Sequence, residues 1–455
     1  MDRTPHQLPD SYTAPVEQIE RITILDSLRG IAILGILVMN IPGFGLPYVS
    51  VFDLTILNEL SGPNYKSWVI VDGILEGSMR GLFSMLFGAG TILFISRLEK
   101  KNTGMIPAEI YFRRQIWLLF FGLVNTYFLL WFWDILFVYA VCGMLLFVFR
   151  RMPAKTLFIA SGVCLLLLTA RENIDFYKDK KLISDGEQIA RLDTTTTKLS
   201  PPQREKLEAM QAFKERYSPE AKKKTYEKQL HKGRGNWSDV YEQNSNLGAK
   251  GHTVALYYFL IWDVLIFMFL GMAFFKTGIL TGSHPVKTYL ILTIAGLGIG
   301  LFLSWLRLSE DLHFGFNRFE KAKGALFEFY ELSRFFRSVG IFGLIMLLYK
   351  SGWFAWMFKL MRPVGQMAFT NYLMQSIICG LFFFGVGFGM FGRLQRYELY
   401  YVVAAVWLFQ IIFSHVWLHY LRFGPFEWAW RSLTYWKRQP LKKDGSTKII
   451  STVTA

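Results

Sequence analysis

The first apolar segment of the chain begins near Ile22 and contains side chains that could do chemistry inside a membrane. Asp26 and Arg29 stand three residues apart and can pair on one face of a helix. Asn40 follows Arg29 by eleven residues, which is about three helical turns, so the two side chains project from nearly the same face. Ionisable groups in a membrane span usually face the bundle interior. The spacing predicts a polar seam across the bundle or, for Asp26 and Arg29, a structural ion pair.

The second apolar segment carries three charged residues at successive spacings of four. They are Asp72, Glu76 and Arg80, and a continuous α-helix would place them in one stripe that cannot face lipid. We expect the stripe to face protein or water, with Arg80 close enough to neutralise Glu76. Two interpretations stay open: Glu76 carries protons, or Glu76 and Arg80 form a plain ion pair.

Amides and one more carboxylate fall within later apolar segments. Asn125 and Asp134 lie around the predicted third and fourth helices, and Asn371 and Gln375 lie one turn apart in the predicted ninth helix. Buried amides can bind a substrate, but they also form hydrogen bonds that hold neighbouring membrane helices together. Both roles stay open for these amides.

Two histidines, His415 and His419, lie four residues apart in the last predicted helix. This spacing is compatible with a metal ion, but no acidic or cysteine ligand stands nearby. We therefore predict no metal site. For His415 we keep a role as a base or substrate contact beside simple packing.

The composition requires an environment other than water for the apolar side chains. Of the 455 residues, 52% are hydrophobic and 17% aromatic, and the mean hydropathy is +0.28, which excludes a soluble globule. The net charge of +16 would suit nucleic acid, but the Lys and Arg residues mostly flank apolar runs. There they contact anionic headgroups and set topology. We predict a lipid bilayer and no nucleic acid as partner.

The apolar runs predict an all-α, polytopic transmembrane bundle of about ten helices with one polar insertion. Six runs begin near Ile22, Trp68, Val254, Val286, Val364 and Tyr400, and four more lie within 116–149 (two short spans turning near Asp134), 157–170 and 325–349. The predicted divisions are a cytoplasmic segment 1–21, helices 1–5 in 22–170, an extracytoplasmic insertion 171–253, helices 6–10 in 254–420, and a cytoplasmic tail 421–455.

Charge bias predicts the orientation. Basic residues cluster in 97–114, at Arg150 and Arg151, and in the tail after Arg422, and these segments alternate onto one side of the bundle. The positive-inside rule then places both termini in the cytoplasm. Arg307 and its basic neighbours in 318–323 fall on the predicted outer side and are the exception.

Five blocks of the sequence are similar to a known family. The stretch RITILDSLRGIAILGILVMNI from Arg21 resembles the opening of the DUF418 (YeiB-like) family of bacterial membrane proteins. EGSMRGLFSMLFGAG from Glu76, DILFVYA from Asp134, GQMAFTNYLMQS from Gly365 and RFGPFEWAWRSLTY from Arg422 resemble later family blocks in the same order. The resemblance implies a multi-pass protein of the bacterial cytoplasmic (inner) membrane.

The resemblance also implies an activity, because DUF418 is assigned to a wider group of transmembrane acyltransferases that includes the heparan glucosaminide N-acetyltransferase. The helix-one pattern of that enzyme, Asp-x-x-Arg-Gly followed by Asn, is matched by Asp26, Arg29, Gly30 and Asn40. Its histidine shortly after the Asn has no counterpart in 41–68, and Asn125 stands where family members commonly have another histidine.

The favoured hypothesis is therefore transfer of an acyl group, plausibly acetyl, from a cytoplasmic CoA thioester to an extracytoplasmic hydroxyl or amine. Acetyl-CoA or another acyl-CoA would be a co-substrate, not a bound cofactor, and the acceptor a glycan, lipid or small molecule. Asn40 could stabilise the oxyanion, and Glu76 or Asp134 could accept the proton, with Asn125 beside them. Further candidates for substrate contact are Asp26, Arg29, Arg80, Arg113, Arg114, Asn371, Gln375, His415 and Arg422.

Two other functions stay open. The same polar seam could line the path of a transporter or a lipid-binding membrane protein. The absent histidines suit a catalytically inactive relative that acts as a scaffold. The sequence leaves the number of subunits open, including a homo-oligomer.

Overall fold

Helices make up all the regular secondary structure in the described residues, 22–192 and 199–443 of a computed structural model. The predicted all-α membrane bundle is confirmed. Seven helical segments in these ranges are long and apolar enough to cross a membrane, and two apolar helices are shorter. The elements are α1 Thr23–Gly45, α2 Tyr48–Val51, α3 Gly62–Ile70, α4 Ser78–Lys101, α5 Ile106–Tyr127, α6 Leu136–Phe149, α7 Ala154–Ala190, α8 Pro201–Arg216, α9 Pro219–Arg234, α10 Trp237–His252, α11 Ile261–Thr277, α12 Val286–His313, α13 Arg318–Gly324, α14 Tyr330–Ser351, α15 Ala355–Gln366, α16 Ala368–Phe383, α17 Leu399–Tyr420 and α18 Pro425–Tyr435, with π-helical turns at Val71–Leu75 and Leu256–Leu260.

The bundle has two ends of different character. We call one end the basic end; α4 ends there and α5 begins there. Helix α18 packs on α5 at this end, where Trp430 Nε1 donates to the Arg114 carbonyl (2.9 Å). Arg150 Nε lies 3.1 Å from Glu99 Oε1 at this end, and Lys276 donates to the Arg150 carbonyl. Helices α8–α10 lie at the opposite end, which we call the insertion end.

Close contact between α1 and α15 fixes the position of α1. A Cβ atom on Gly30 would lie 2.2 Å from the Met361 carbonyl oxygen, and one on Gly365 would lie 1.7 Å from the Asp26 carbonyl oxygen. Small residues let membrane helices approach until their backbones touch. Because Asp26 is part of this contact, the contact also sets the depth of the polar residues on α1.

Replacing Gly365 by Val is expected to separate α1 from α15. A side chain has no space there, so we expect a loss of stability of about 3 kcal/mol or more. Thermal unfolding of the detergent-solubilised protein, followed by size-exclusion fluorescence, measures it. Gly298→Val is the matched control, because a Cβ at this exposed position of α12 meets no atom within 4 Å. Equal melting temperatures for the two variants would contradict the contact.

The connection between α3 and α4 is irregular. The π-helical turn Val71–Leu75 ends at Glu76, whose ψ of 125° is not helical. Gly77 has a φ of +68°, and a Cβ there would lie 2.2 Å from Arg334 Cδ, so both the conformation and the space require glycine. The break turns the chain between Glu76 and the start of α4.

The described part of the polar insertion, 171–192 and 199–253, is helical and covers one end of the bundle as a cap. Helix α7 continues without interruption from Ala154 to Ala190. It therefore crosses the predicted division after Ala170. Its second half is polar, and it extends the helix that the apolar first half begins. Its far half joins α8 and α13 in a small separate core. This core consists of Phe176, Ile183, Met210, Phe319, Ala322 and Ala325.

Helix α9 is fastened to the bundle by polar contacts. Lys222 Nζ lies 2.6 Å from Asp53 Oδ2, with both side chains largely buried, and Gln229 accepts a bond from the Val49 amide (3.0 Å). Arg234 Nε donates to the Phe391 carbonyl (2.7 Å). Charge-assisted bonds of this kind are stronger than neutral ones, so the cap is held on two separate regions of the chain.

Candidate functional site

Two cavities extend into the bundle from its opposite ends. The basic-end cavity has a volume of about 250 Å³, and the insertion-end cavity has a volume of about 790 Å³. Tyr139, on α6, lines both. Its side chain therefore stands in the partition between a space that begins at one end and a space that begins at the other.

The predicted pair on α1 borders the basic-end cavity. Arg29 Nη1 donates to Asp26 Oδ1 (2.8 Å), and Gln366 Nε2 lies 3.4 Å from Asp26 Oδ2. Asp26 is buried, whereas the Arg29 side chain is 29% exposed. The arginine therefore keeps donor groups directed at the cavity while the pair holds it in place.

Three other arginines line the same cavity: Arg97, Arg114 and Arg431. The Arg114 guanidinium lies 3.6 Å from the ring centre of Trp430 and 4.9 Å from that of Phe94. Stacking between two rings fixes its plane, because cations prefer the face of an aromatic ring. The result is a concave surface rich in planar cations at the basic end.

The partition contains a buried carboxylate. Asp134 Oδ1 accepts hydrogen bonds from Asn125 Nδ2 (2.7 Å) and from the Tyr372 hydroxyl (3.3 Å), and Oδ2 accepts one from the Phe137 amide (2.9 Å). Asp134 lines the insertion-end cavity, and Tyr372 lines the basic-end cavity. A single hydrogen bond therefore joins the walls of the two cavities.

The Tyr139 hydroxyl has partners on α4. It lies 2.6 Å from Ser84 Oγ and donates to the Arg80 carbonyl at 3.2 Å. These bonds tie α6 to α4 at the depth of the partition. The partition is thus one layer of hydrogen-bonded side chains, built by Asp134, Tyr139 and Tyr372.

The insertion-end cavity collects the remaining predicted polar residues of the N-terminal half. Asn40, Asp72 and Glu76 line it, with Arg80 and Asp134. Within the described residues, the Asn40 side chain makes no hydrogen bond, and its amide stays available to a bound molecule. Aromatic side chains complete one wall: Tyr48, Phe52, Phe132, Trp133, Phe259 and Tyr400.

The expected pairing of Glu76 with Arg80 is wrong. Glu76 Oε1 accepts a bond from the Tyr330 hydroxyl (2.8 Å), and its nearest cation is Arg337 (3.6 Å). Arg80 instead lies 2.9 Å from Asp263 Oδ2 on α11. The π-helical turn and the break at Gly77 move the two residues off a common helical stripe.

A buried ionic cluster supports this wall, and sequence reasoning missed it. Arg334 pairs with both Asp263 and Glu331, and all three side chains are at most 2% exposed. Arg337, fully buried, donates to the Asp72 and Gly73 carbonyls (2.9 and 3.1 Å). The cluster therefore holds the π-helical turn in place.

Asp263→Asn is expected to cost about 3–5 kcal/mol of stability, because removing one member of a buried ion pair leaves Arg80 without its carboxylate and Arg334 with Glu331 alone. Thermal unfolding in detergent measures the effect. Asp185→Asn is the matched control, since Asp185 forms an exposed pair with Lys206 on the insertion and should change stability by less than about 1 kcal/mol. A melting temperature of Asp263→Asn within error of the control would refute the structural role.

Comparison with known proteins assigns the family. The family described as "Protein of unknown function (DUF418)" matches residues 274–437. The "Uncharacterized protein YxaH" of Bacillus subtilis (strain 168) is 32% identical over 446 residues, which cover 95% of this chain and 99% of the Bacillus protein. The chain belongs to the DUF418 family. The "Uncharacterized protein YeiB" of Escherichia coli (strain K12) is 29% identical over 428 residues, 91% of this chain and 97% of that protein. No solved structure matches.

The single seam predicted for this DUF418 chain is divided in the structure. Arg29 lines the basic-end cavity, whereas Asn40 and Glu76 line the insertion-end cavity. Tyr139 lines both cavities and lies between them. The polar residues therefore occupy two spaces that share a wall instead of one channel.

Several further candidates in the DUF418 chain lie outside both cavities. Asn371 Nδ2 bonds to Ser414 Oγ on α17 (3.1 Å), and Gln375 Nε2 bonds to the Ile33 carbonyl (3.1 Å) and to Gln410 (3.1 Å). Both amides therefore connect helices, the alternative that the sequence left open. Neither residue lines either cavity.

His415 and Arg422 also lie outside the lining of both cavities. His415 Nδ1 lies 2.8 Å from the Ile411 carbonyl on its own helix. At the basic end, Arg113 donates to the Thr434 carbonyl (3.2 Å). Arg113 does not line the basic-end cavity, whereas Arg114 does. Among the described residues, no group of three His, Cys, Asp or Glu side chains is arranged to hold a metal ion.

The basic residues that broke the predicted charge bias have local partners. Arg307 lines the insertion-end cavity and donates to the Asp72 carbonyl (3.2 Å). Arg318 pairs with Asp179 (2.7 Å). Both arginines therefore have partners within the protein.

Proposed function

We propose that this DUF418 protein is a transmembrane acyltransferase. In this proposal an acyl-CoA binds in the basic-end cavity, an acceptor hydroxyl or amine binds in the insertion-end cavity, and the acyl group crosses the partition. One observation supports it most: the cavities extend from opposite ends and share the wall residue Tyr139. Transfer between two such sites moves only a small group through the membrane, so no wide pore is required.

The basic-end cavity suits a phosphate-bearing donor. CoA carries phosphate groups, which guanidinium groups bind in paired, charge-assisted hydrogen bonds. Arg29 and Arg114 are held in fixed orientations by Asp26 and by Trp430, so little side-chain entropy is lost on binding. With the phosphates at the arginines, the pantetheine arm would direct the thioester toward the partition.

Asp134 is the favoured proton acceptor. The acceptor oxygen or nitrogen attacks the thioester carbonyl carbon to form a tetrahedral intermediate, which collapses as the carbon–sulfur bond breaks. The acceptor proton passes to the Asp134 carboxylate, and CoA leaves as the thiolate. Asp134 lines the insertion-end cavity, whereas Glu76 is engaged by Tyr330 and Arg337. Geometry therefore favours Asp134 over Glu76.

Donor groups near the partition can stabilise the charge that develops on the carbonyl oxygen. Asn40 presents an amide to the insertion-end cavity, whereas Tyr372 donates its one O–H to Asp134 and holds that carboxylate in place. Prearranged donors of this kind are a large source of rate acceleration in acyl transfer. In the proposal Asn40 binds the acceptor side of the tetrahedral intermediate, because it lies in the acceptor's cavity.

The basic end faces the cytoplasm in this proposal, because acyl-CoA is a cytoplasmic metabolite and the positive-inside rule gives the same orientation. Substituted cysteines test it. Lys155 at the start of α7 and Lys223 on α9 are exposed, and the three native cysteines are buried. A membrane-impermeant maleimide should label Lys223→Cys in right-side-out vesicles and Lys155→Cys only after lysis. The reverse pattern would contradict this orientation.

A transporter is the second candidate, since two cavities with a shared wall also suit alternating access. The polar clamp of α9 on Asp53 and Phe391 favours the acyltransferase, because rocking of the insertion end would break charge-assisted bonds. A scaffold without turnover is the remaining alternative. Flux into liposomes without thioester consumption would support transport, and neither flux nor consumption would support the scaffold.

The deciding experiment uses the purified protein in vesicles that contain lipids and glycolipids extracted from the host membrane. Acetyl-CoA labelled in the acetyl group is added on the side of the basic end. We expect release of CoA thiol together with label in an acceptor or on the protein. Vesicles containing Asp134→Asn control for spontaneous hydrolysis. Thiol release and label transfer no greater than in empty vesicles would reject the acyltransferase.

A further inference from the structure

One histidine lines the insertion-end cavity. It is His252, the last residue of α10, and it belongs to the polar insertion instead of a predicted membrane span. Sequence reasoning searched the apolar runs for a histidine and found none near Asn40 or at Asn125. In the folded protein, His252 lines the same cavity as Asn40, although it lies in a different part of the chain.

Tight packing places α10 against the end of α5. A Cβ on Gly248 would lie 2.3 Å from Thr126 Cγ2, so this glycine allows the two helices to touch. Asn244 Nδ2 donates to the Leu130 carbonyl (2.9 Å), and Asn244 and Leu130 are both buried. His252 follows Gly248 by one turn. Its position beside the α5–α6 connection is therefore fixed by two contacts that precede it.

The surroundings of His252 connect it to the partition. Its ring stacks on Phe137, with ring centres 4.1 Å apart and planes 22° apart. The Phe137 amide donates to Asp134. On the other side, His252 Nε2 lies 3.5 Å from Thr126 Oγ1, and Thr126 follows Asn125, the other partner of Asp134. One residue, Phe137, separates His252 from the carboxylate on one side, and two residues, Thr126 and Asn125, separate them on the other.

The imidazole also keeps a nitrogen free. His252 Nδ1 is buried and has no hydrogen-bond partner among the described residues. Three other cavity groups could carry a proton: Glu76 is held by Tyr330 and Arg337, Lys250 is a cation, and Asp72 stands on the π-helical turn that Arg307 and Arg337 contact. Only His252 contacts residues next to Asp134. An imidazole exchanges protons near neutral pH more readily than any other side chain.

We propose that His252 is the proton carrier that resets the partition after each transfer. The proposal rests on the acyltransferase function above, in which Asp134 ends each cycle protonated. The proton then moves through cavity water to a nitrogen of His252, and the imidazolium releases it to bulk water at the insertion end. Only O–H and N–H bonds change, and both residues return to their starting state. His252 acts through Asp134 and is not required for the first transfer.

Packing against Phe137 is the competing explanation, and His252→Phe separates the two. Phenylalanine keeps an aromatic ring on Phe137 but carries no proton. The carrier role predicts normal folding and one rapid turnover per protein molecule, followed by steady-state transfer slowed at least about tenfold. A rapid-quench measurement of labelled acetyl-CoA consumption resolves the two phases. An unchanged steady-state rate in His252→Phe would overturn the proposal.

Rescue by a small molecule adds a second test. His252→Ala opens a space beside Phe137, and added imidazole should restore steady-state transfer if proton movement is the lost function. His415→Ala is the matched control, because His415 lies outside both cavities, and neither its activity nor its response to imidazole should change. Loss of transfer without rescue would assign His252 to packing and overturn the carrier role. An inactive wild type would reject the acyltransferase itself, whereas an active wild type with an active His252→Phe rejects the carrier alone.

Discussion

Asp134→Asn is expected to lower acyl transfer at least about 100-fold, because the amide cannot accept the proton that leaves the acceptor. The substitution keeps the size of the side chain and the acceptor for Asn125 and Tyr372. It places an NH₂ group against the Phe137 amide, so we expect a stability cost of about 1–3 kcal/mol. Initial rates of CoA release, normalised to folded protein, measure the effect on transfer.

The control for this loss is Glu76→Gln. Glu76 borders the same cavity, but it accepts the Tyr330 hydroxyl and faces Arg337, so we expect a smaller decrease in rate than for Asp134→Asn. Wild-type transfer by Asp134→Asn would remove this carboxylate from the mechanism. Full activity in both variants would remove every carboxylate that the sequence proposed as the proton acceptor.

The second large effect is expected at the donor site. Arg114→Ala and Arg431→Ala each remove a guanidinium from the wall of the basic-end cavity, and we expect the KM for acyl-CoA to rise by roughly 10–100-fold, with a smaller change in kcat. Arg114→Lys should recover only part of the affinity, because lysine keeps the charge but loses the planar stack on Trp430. Steady-state kinetics with varied acetyl-CoA measure the split.

Arg113→Ala is the matched control for the donor site. Arg113 is the neighbour of Arg114 in sequence, but it pairs with Glu109 and the Thr434 carbonyl and is outside the cavity lining. Its KM should stay within about threefold of the wild-type value. Equal KM values for Arg113→Ala and Arg114→Ala would show that the basic-end cavity does not bind the donor through Arg114.

The fold could be predicted well because bilayer thickness constrains it. Apolar runs of sufficient length indicate helices whatever their neighbours, and the ten predicted spans correspond to α1, α4–α7, α11, α12, α14, α16 and α17. Length and apolar content do not determine where a helix stops once it leaves the apolar region. Helix α7 therefore continues to Ala190, well past the predicted division.

The site could be predicted only where the helix is regular. On α1, the spacing placed Asp26 beside Arg29 correctly, because Thr23–Gly45 is continuous. Between Asp72 and Arg80 the same argument failed, since the π-helical turn and Gly77 change the direction of the chain. Gly77, within the charged stripe between Glu76 and Arg80, was the sequence signal of this break.

Sequence spacing also could not predict which residues on different helices pair with each other. Asp263 and Arg334 lie on different helices and meet only after packing. Several charged residues lie within the apolar run 325–349, and their density was a signal of buried pairing. His252 gave no such signal, because it stands in a polar segment where a histidine is ordinary.

The clamp on α9 constrains the order of events during synthesis. Gly385 donates to the Gly233 carbonyl (2.9 Å), and Gly392 donates to the Gly45 carbonyl (2.7 Å), so three stretches from the beginning, middle and end of the chain meet at one point. The ribosome delivers the first two long before the third. Helix α9 can therefore bond to Asp53 and Val49 as soon as it has been made, but its bonds to residues 385–392 must wait until α16 has entered the bilayer. A chain truncated before α16 would keep only the first set of contacts.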